Sequence, residues 1–212
     1  MNTSKILGAL CLGLIASTGA CNENSSPTQP TTATSGTLRA TYSGDLSGSV
    51  DAEGAFDPQT IQTFGVAFHD PQRAMYEIVG LEVANDFSGE EIVLLTESAS
   101  AGTYSLSSDC GASASDLCAQ AFLVTIDDVR LQNPAIRQLR FDSGTVTLQA
   151  GAAQRVTGTF GGTALETNTA GDTLATVAVS DGSYDVPIVE AQITPTTSLS
   201  PVNGAVLRWP RD

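Results

Sequence analysis

From residue 37 to residue 189 the chain keeps returning to one pattern, an apolar residue followed by a polar one and then another apolar one. Leu38, Ala40 and Tyr42 alternate with Arg39, Thr41 and Ser43, and Val146 and Leu148 alternate with Thr145, Thr147 and Gln149. Successive side chains of an extended chain point to opposite faces, so this period-two pattern describes half-buried strands. No stretch shows the 3.6-residue period of a long helix, and Gly, Ser, Thr, Ala and Val dominate while aromatics are few. That composition suits an all-β chain. Further strands are expected at residues 46–50, 61–68 (with Phe64, Val66 and Phe68 on one face), 75–84, 92–95, 101–106, 121–129, 156–160, 174–179, 183–189 and 204–209. Residues 51–58 read as a loop. Asn133-Pro134 reads as a turn with one helical turn after it, and Asp181-Gly182 predicts a tight hairpin. The expected fold is an antiparallel β-sandwich of about ten strands, with a β-barrel as the alternative.

A small triplet recurs as glycine, then a hydroxyl residue, then an apolar residue. It stands at Gly36-Thr37-Leu38, Gly48-Ser49-Val50, Gly102-Thr103-Tyr104, Gly144-Thr145-Val146, Gly158-Thr159-Phe160 and Gly182-Ser183-Tyr184. Its uneven spacing argues against a tandem repeat. It reads as a way of opening strands, with the hydroxyl facing water and the third residue facing the core.

The N-terminal residues have another grammar. Residues 1–5 are polar and hold Lys5, the single lysine of the chain; residues 6–16 are apolar and uncharged; residues 17–20 are small; Cys21 follows. A charged start, an apolar centre and a small-residue exit describe a secretory signal peptide, and the apolar run is shorter than the ~20 residues of a membrane span. Gly19-Ala20-Cys21 resembles the lipobox of bacterial lipoproteins, although Thr18 stands where that motif usually has Leu. The resemblance implies cleavage after Ala20 and acylation of Cys21, so that the chain reaches the membrane through an N-terminal lipid. Plain secretion with a free Cys21 thiol is the alternative. Residues 21–36 are rich in Ser, Thr, Pro and Asn and read as a disordered tether, and residues 37–212 as one β domain. Asn22 follows the cysteine in place of the aspartate that retains some lipoproteins at the inner membrane, which favours the outer membrane of a bacterial envelope.

Residues 143–189, SGTVTLQAG..QRVTGTFGGTALET....GDTLATVAVSDGSYDVPIV, resemble the closing segment of uncharacterised bacterial β-rich lipoproteins. The shared elements are a G-x-V-x-V strand, a GTF strand and a last strand pair ending in DG-x-aromatic-D-V-P. The resemblance implies an exported lipoprotein with an antiparallel β domain. It implies no activity.

Charge narrows the partners. The formal charge of the chain is −14, and loss of residues 1–20, which hold Lys5 and no acid, makes it −15. Phosphate binding needs clustered Lys and Arg, so nucleic acid is excluded as a partner. An anionic bilayer would repel such a chain, so membrane attachment must come from lipid. A protein or glycan partner stays open. Cys110 and Cys118 are expected to form a disulfide closing a short surface loop in an oxidising compartment. A metal site is the poorer reading, because the lone histidine, His69, is remote in sequence.

Signatures of catalysis are missing. No Gly-x-Ser-x-Gly, HExxH, Walker A or GxGxxG motif occurs, and His69-Asp70-Pro71 reads as a polar turn at a strand end. Asp51, Glu53 and Asp57 gather three acids in one glycine-containing loop and are weak calcium candidates, though their spacing is not that of an EF-hand. Glu90-Glu91 reads as a charged strand opening that would protect an edge. A pair of carboxylates acting on polysaccharide requires geometry to identify. No cofactor is implied. The reading that follows is an envelope-anchored, non-enzymatic β module with a binding, adhesive or structural role. A hydrolase using paired carboxylates and a calcium-stabilised module are the alternatives.

Overall fold

The computed structural model describes residues 34–57, 59–107, 110, 117–131, 133–151 and 154–190. The expected signal segment, Cys21, most of the tether and the expected strand at 204–209 lie outside the described residues. The strands are β1 (Gly36–Gly44), β2 (Gly48–Gly54), β3 (Phe64–Asp70), β4 (Met75–Val83), β5 (Gly89–Thr96), β6 (Gly102–Leu106), β7 (Cys118–Ile126), β8 (Ile136–Ala150), β9 (Arg155–Thr167) and β10 (Thr173–Glu190). There is no helix among the described residues. The all-β, ten-strand expectation holds. In all six triplets the third residue (Leu38, Val50, Tyr104, Val146, Phe160 or Tyr184) is buried and the hydroxyl residue before it is more exposed, as expected, but only Gly36, Gly48 and Gly102 open strands, while Gly144, Gly158 and Gly182 lie inside β8, β9 and β10.

The strands form one mixed sheet whose hydrogen bonding runs round in a ring. Most neighbours are antiparallel. The exceptions are β10 with β3, where Ile188 faces Ala67, and β6 with β7, where Ser105 faces Cys118. Two layers still result. The β1–β2 hairpin crosses the inner face of β3, β4 and β5 in turn: Gly36 sits against Gly65, Leu38 lies on Gly80, and Tyr42 reaches Glu90. Between the layers lies the core, with Leu38, Ile78, Leu94, Tyr104, Leu123, Phe141, Leu148 and Val186 all but free of solvent. Each such side chain contributes roughly 1.5–3 kcal/mol relative to exposure. The opposite face of β3, β4, β5 and β7 is also apolar, with Phe64, Val66, Val79, Val93, Phe122 and Val124 buried. Phe56, in the loop after β2, packs edge-on against Phe64 and Phe68 at 5.1 and 5.2 Å.

Several local expectations need correcting. Residues 51–54 belong to β2, because Asp51, Ala52 and Glu53 pair with Arg39, Leu38 and Thr37. Residues 136–139 are extended and pair with β7 rather than forming a helical turn. Asp181-Gly182 makes no hairpin: β10 runs unbroken through it. Asp181 takes φ +53° and forms a bulge against both neighbours, where Val179 and Gly182 face Gly162 and Phe160 on β9. A hairpin would need two strands to pair with each other, whereas here β1 and β9 already hold both edges of β10.

The length of β8, β9 and β10 (15, 13 and 18 residues) lets them pass from one layer to the other. Close approach at this seam depends on Gly158. Tyr184 faces it across the β9–β10 pair and donates its hydroxyl to the Thr147 carbonyl at 2.6 Å. A Cβ at residue 158 would overlap that carbonyl and lie 2.5 Å from the Tyr184 hydroxyl. Where the chain enters, Arg155 grips three groups: the Asp185 carboxylate (2.5 Å), the Asp185 carbonyl (2.7 Å) and the Ser35 carbonyl (3.1 Å).

The seam makes a stability prediction. Gly158→Ala should cost about 2–4 kcal/mol in urea denaturation. Gly161→Ala, whose Cβ would meet only the Val179 carbonyl at 3.1 Å, should cost clearly less. Equal effects would remove Gly158 from its place in the seam.

Candidate functional site

Four turns meet at one pole of the fold, about 26 Å from Gly36 along β1 at strand rise. They are residues 45–47, 84–88, 127–135 and 168–172. Asp45 joins the first to the start of β10, accepting from the Thr176 amide at 2.8 Å. The Val129 amide donates to the Phe87 carbonyl at 2.9 Å, joining the second and third.

At the foot of the 84–88 turn, Glu82 and Glu90 face each other across β4 and β5. With Ser49, Ala84 and Ser88 they line a shallow recess. Directly opposed residues bring their Cβ atoms to about 5 Å, and like charges so placed repel. Each glutamate leans on a donor from the other layer. Glu82 accepts from the Asp51 amide at 2.6 Å, and Glu90 accepts from the Tyr42 hydroxyl at 2.7 Å. Burial, opposed by the Tyr42 hydrogen bond and reinforced by the Glu82 charge, holds the Glu90 carboxyl above its ordinary range. Burial and the Glu90 carboxylate in turn push Tyr42 up. The second Glu90 oxygen is buried and has no hydrogen-bond partner among the described residues.

The turn above this recess holds the least comfortable backbone of the pole. In residues 84–88 the Ala84 amide donates to the Ser88 carbonyl and the Phe87 amide to the Ala84 carbonyl, both at 2.9 Å. Residues 168–172 repeat that pattern at 3.0 Å, with Gly171 at φ +90° in the left-handed position. Phe87 occupies the equivalent position at φ +68°. A bulky residue there carries strain of roughly 1–3 kcal/mol, whereas glycine is the usual occupant. The Phe87 ring is 40% exposed. The Arg130 guanidinium lies over it, 3.6 Å from the centroid, and is gripped by both Asp128 oxygens at 3.0 and 2.8 Å. That grip holds the Asp128 carboxyl down at about 2.

The residues singled out from sequence fall elsewhere. Asp51 and Glu53 flank Arg39 at 2.6 and 2.7 Å, while Asp57 accepts the Gln59 amide in its own turn. They do not converge, and no group of three or more His, Cys, Asp or Glu suited to a metal occurs among the described residues. Cys110 and Cys118 are joined by a disulfide, with Cα atoms 5.7 Å apart. His69 stacks on Tyr76 at 5.0 Å, and Asp70 accepts the Gln72 and Arg73 amides, holding the turn after the strand. Tyr42, Tyr104 and Tyr184 are core residues whose hydroxyls are all hydrogen-bonded. Cys21 lies outside the described residues.

Glu90-Glu91 is not an edge device. Strand β5 lies between β4 and β7. Its alternation turns Glu90 to the recess and Glu91 to the opposite face, between Leu81 and Val124. Glu91 is 2% exposed, one of its oxygens has no hydrogen-bond partner among the described residues, and burial with the Glu77 charge pushes it to about 8. No sequence signal pairs Glu82 with Glu90 or buries Glu91 among 23 acids; only cross-strand register does. The unusual Phe87 was legible in part, since Asn85-Asp86 is turn chemistry, but its left-handed backbone was not.

No known protein family, curated protein or solved structure matches this chain.

Glu91 sets a pH dependence. Between the ordinary glutamate value of 4.5 and about 8 the folded state keeps a proton that the unfolded state has released. Stability therefore falls as pH rises through that window, by on the order of a few kcal/mol in all. Chemical denaturation from pH 5 to 8.5 should show the decline, and Glu91→Gln should flatten it and leave the variant more stable than the parent at pH 8.5. A flat profile for the parent chain would refute this.

Proposed function

We propose that the protein is a lipid-anchored module of the bacterial cell envelope, held through Cys21 at the outer membrane, with a binding, adhesive or structural role and no catalytic one. The observation that carries the reading is where the chain enters the fold. Residues 34–36 are fixed by Arg155 beside Pro187, while the four-turn pole lies a strand length away. A tether reaching residue 36 from Cys21 would leave that pole turned toward whatever the module meets. A tether formed by the twelve residues 22–33 would span about 20 Å on average, enough to clear lipid headgroups. The Ser- and Pro-rich composition of residues 22–36, the lipobox-like Gly19-Ala20-Cys21 and the absence of lysine after residue 5 all support attachment by lipid rather than by charge.

A hydrolase reading has one observation behind it, the Glu82–Glu90 pair facing one recess. Two carboxylates facing one recess are what a glycosidase uses, and a raised Glu90 would supply the acid. We rank it second. Glu82 and Glu90 each give one oxygen to the protein itself, and the five residues lining the recess include no aromatic ring on which a sugar could stack.

Both readings have direct tests. In cells fed labelled palmitate, the chain should carry label and partition into detergent, and Cys21→Ser should lose both; an unlabelled parent chain would end the anchored reading. Glu90→Gln should leave the release of reducing sugar from envelope polysaccharide unchanged at background level. Release by the parent chain that this substitution abolishes would establish the hydrolase instead.

A further inference from the structure

We propose that Phe87, with Arg130 stacked on it, is the contact point for a protein partner that presents basic side chains around an exposed apolar one. The proposal rests on the binding-module reading and names its surface. The 84–88 and 168–172 turns have the same hydrogen bonds and the same left-handed position, so the second shows what the fold requires there, a residue at ease with positive φ. Gly171 meets that need in one turn, and small or flexible Ala74 and Gln154 take positive φ in two others. Phe87 departs from all three by holding a large ring, 40% exposed, in water.

The ring is also immobilised. Arg130 covers one side of it, Asp128 fixes Arg130 through two hydrogen bonds, and the Val129 amide holds the Phe87 carbonyl. A rigid aromatic beside a guanidinium loses little freedom on being covered, and such groups dominate the energy of protein contacts. The charge around it selects the partner. Asp128 neutralises Arg130, and Asp86 and Asp127 add negative charge close by, near enough that Asp86 feels the Asp128 charge. An acidic partner would be repelled, and a basic one drawn in.

The test uses the full chain in detergent and a synthetic decapeptide of alternating arginine and tryptophan, with a glutamate-for-arginine peptide as the control. The parent chain should bind the basic peptide, less tightly as salt rises, and should not bind the acidic one. Phe87→Gly should weaken that binding by about tenfold or more while its melting temperature stays level or rises, because glycine relieves the left-handed backbone. Phe87→Asn, also at ease there, should behave alike. A parent chain that ignores the basic peptide, variants that bind it as well as the parent does, or a melting temperature that falls in both variants would overturn the proposal. Neither Cys21 acylation nor its loss changes these readings, so a failure here is separate from a failure of the anchor.

Discussion

One strand with three neighbours holds this fold together. Strand β10 pairs with β9 along one edge from Thr173 to Pro187, and along the other edge first with β1 and then, past Asp185, with β3. That change of partner carries the hydrogen bonding from one layer into the other, so that one sheet does the work of two. It requires a long strand that can bend without breaking its ladders. The bulge at Asp181 supplies extra twist, and Gly158 lets the backbones of β8, β9 and β10 close up under Tyr184. Proline at residue 187 fits the same logic: it has no amide to donate, and it stands where β10 passes from β1 to β3.

The acids show how a strand's two faces can be put to different uses. Alternation sends Glu90 toward the core layer and Glu91 away from it, and each ends up in surroundings that disfavour its charge. Glu82 opposite Glu90 repeats the conflict. A sequence chosen for stability alone would place none of these carboxylates in β4 and β5, where Ile78, Val79, Ile92 and Val93 otherwise fill both faces. Phe87 is the same kind of departure in a turn. Glu82, Glu90 and Phe87 gather at the 84–88 turn, at the opposite end of β1 from Gly36.

Much of this could be read before folding. The core residues of β1, from Leu38 to Tyr42, follow from alternation, and all six glycine–hydroxyl–apolar triplets bury the third residue. The triplet's meaning was only half visible. Gly36, Gly48 and Gly102 open strands, but Gly144, Gly158 and Gly182 sit inside β8, β9 and β10, where neighbouring backbone leaves no room for a Cβ. Asp181-Gly182 misled for a related reason. A dipeptide that tolerates positive φ serves a hairpin or a bulge equally, and only the strands on either side decide between them. That Asp51 and Glu53 pair with Arg39, twelve residues before Asp51, could not be read without the β1–β2 register.

The sequence by itself determined the class of fold, the face each side chain takes along a strand, the Cys110–Cys118 loop and the hydroxyl residues left to water. These depend on the chain's own period and on neighbours close in sequence. Tertiary structure decided that β10 would join the layers, that β6 would lie parallel to β7, that Glu82 would meet Glu90 beneath Tyr42, and that Phe87 would stand rigid under Arg130. Those outcomes depend on pairings between residues as far apart as Leu38 and Tyr184. A local pattern records which way a side chain points; what it points at is settled only when distant strands share hydrogen bonds.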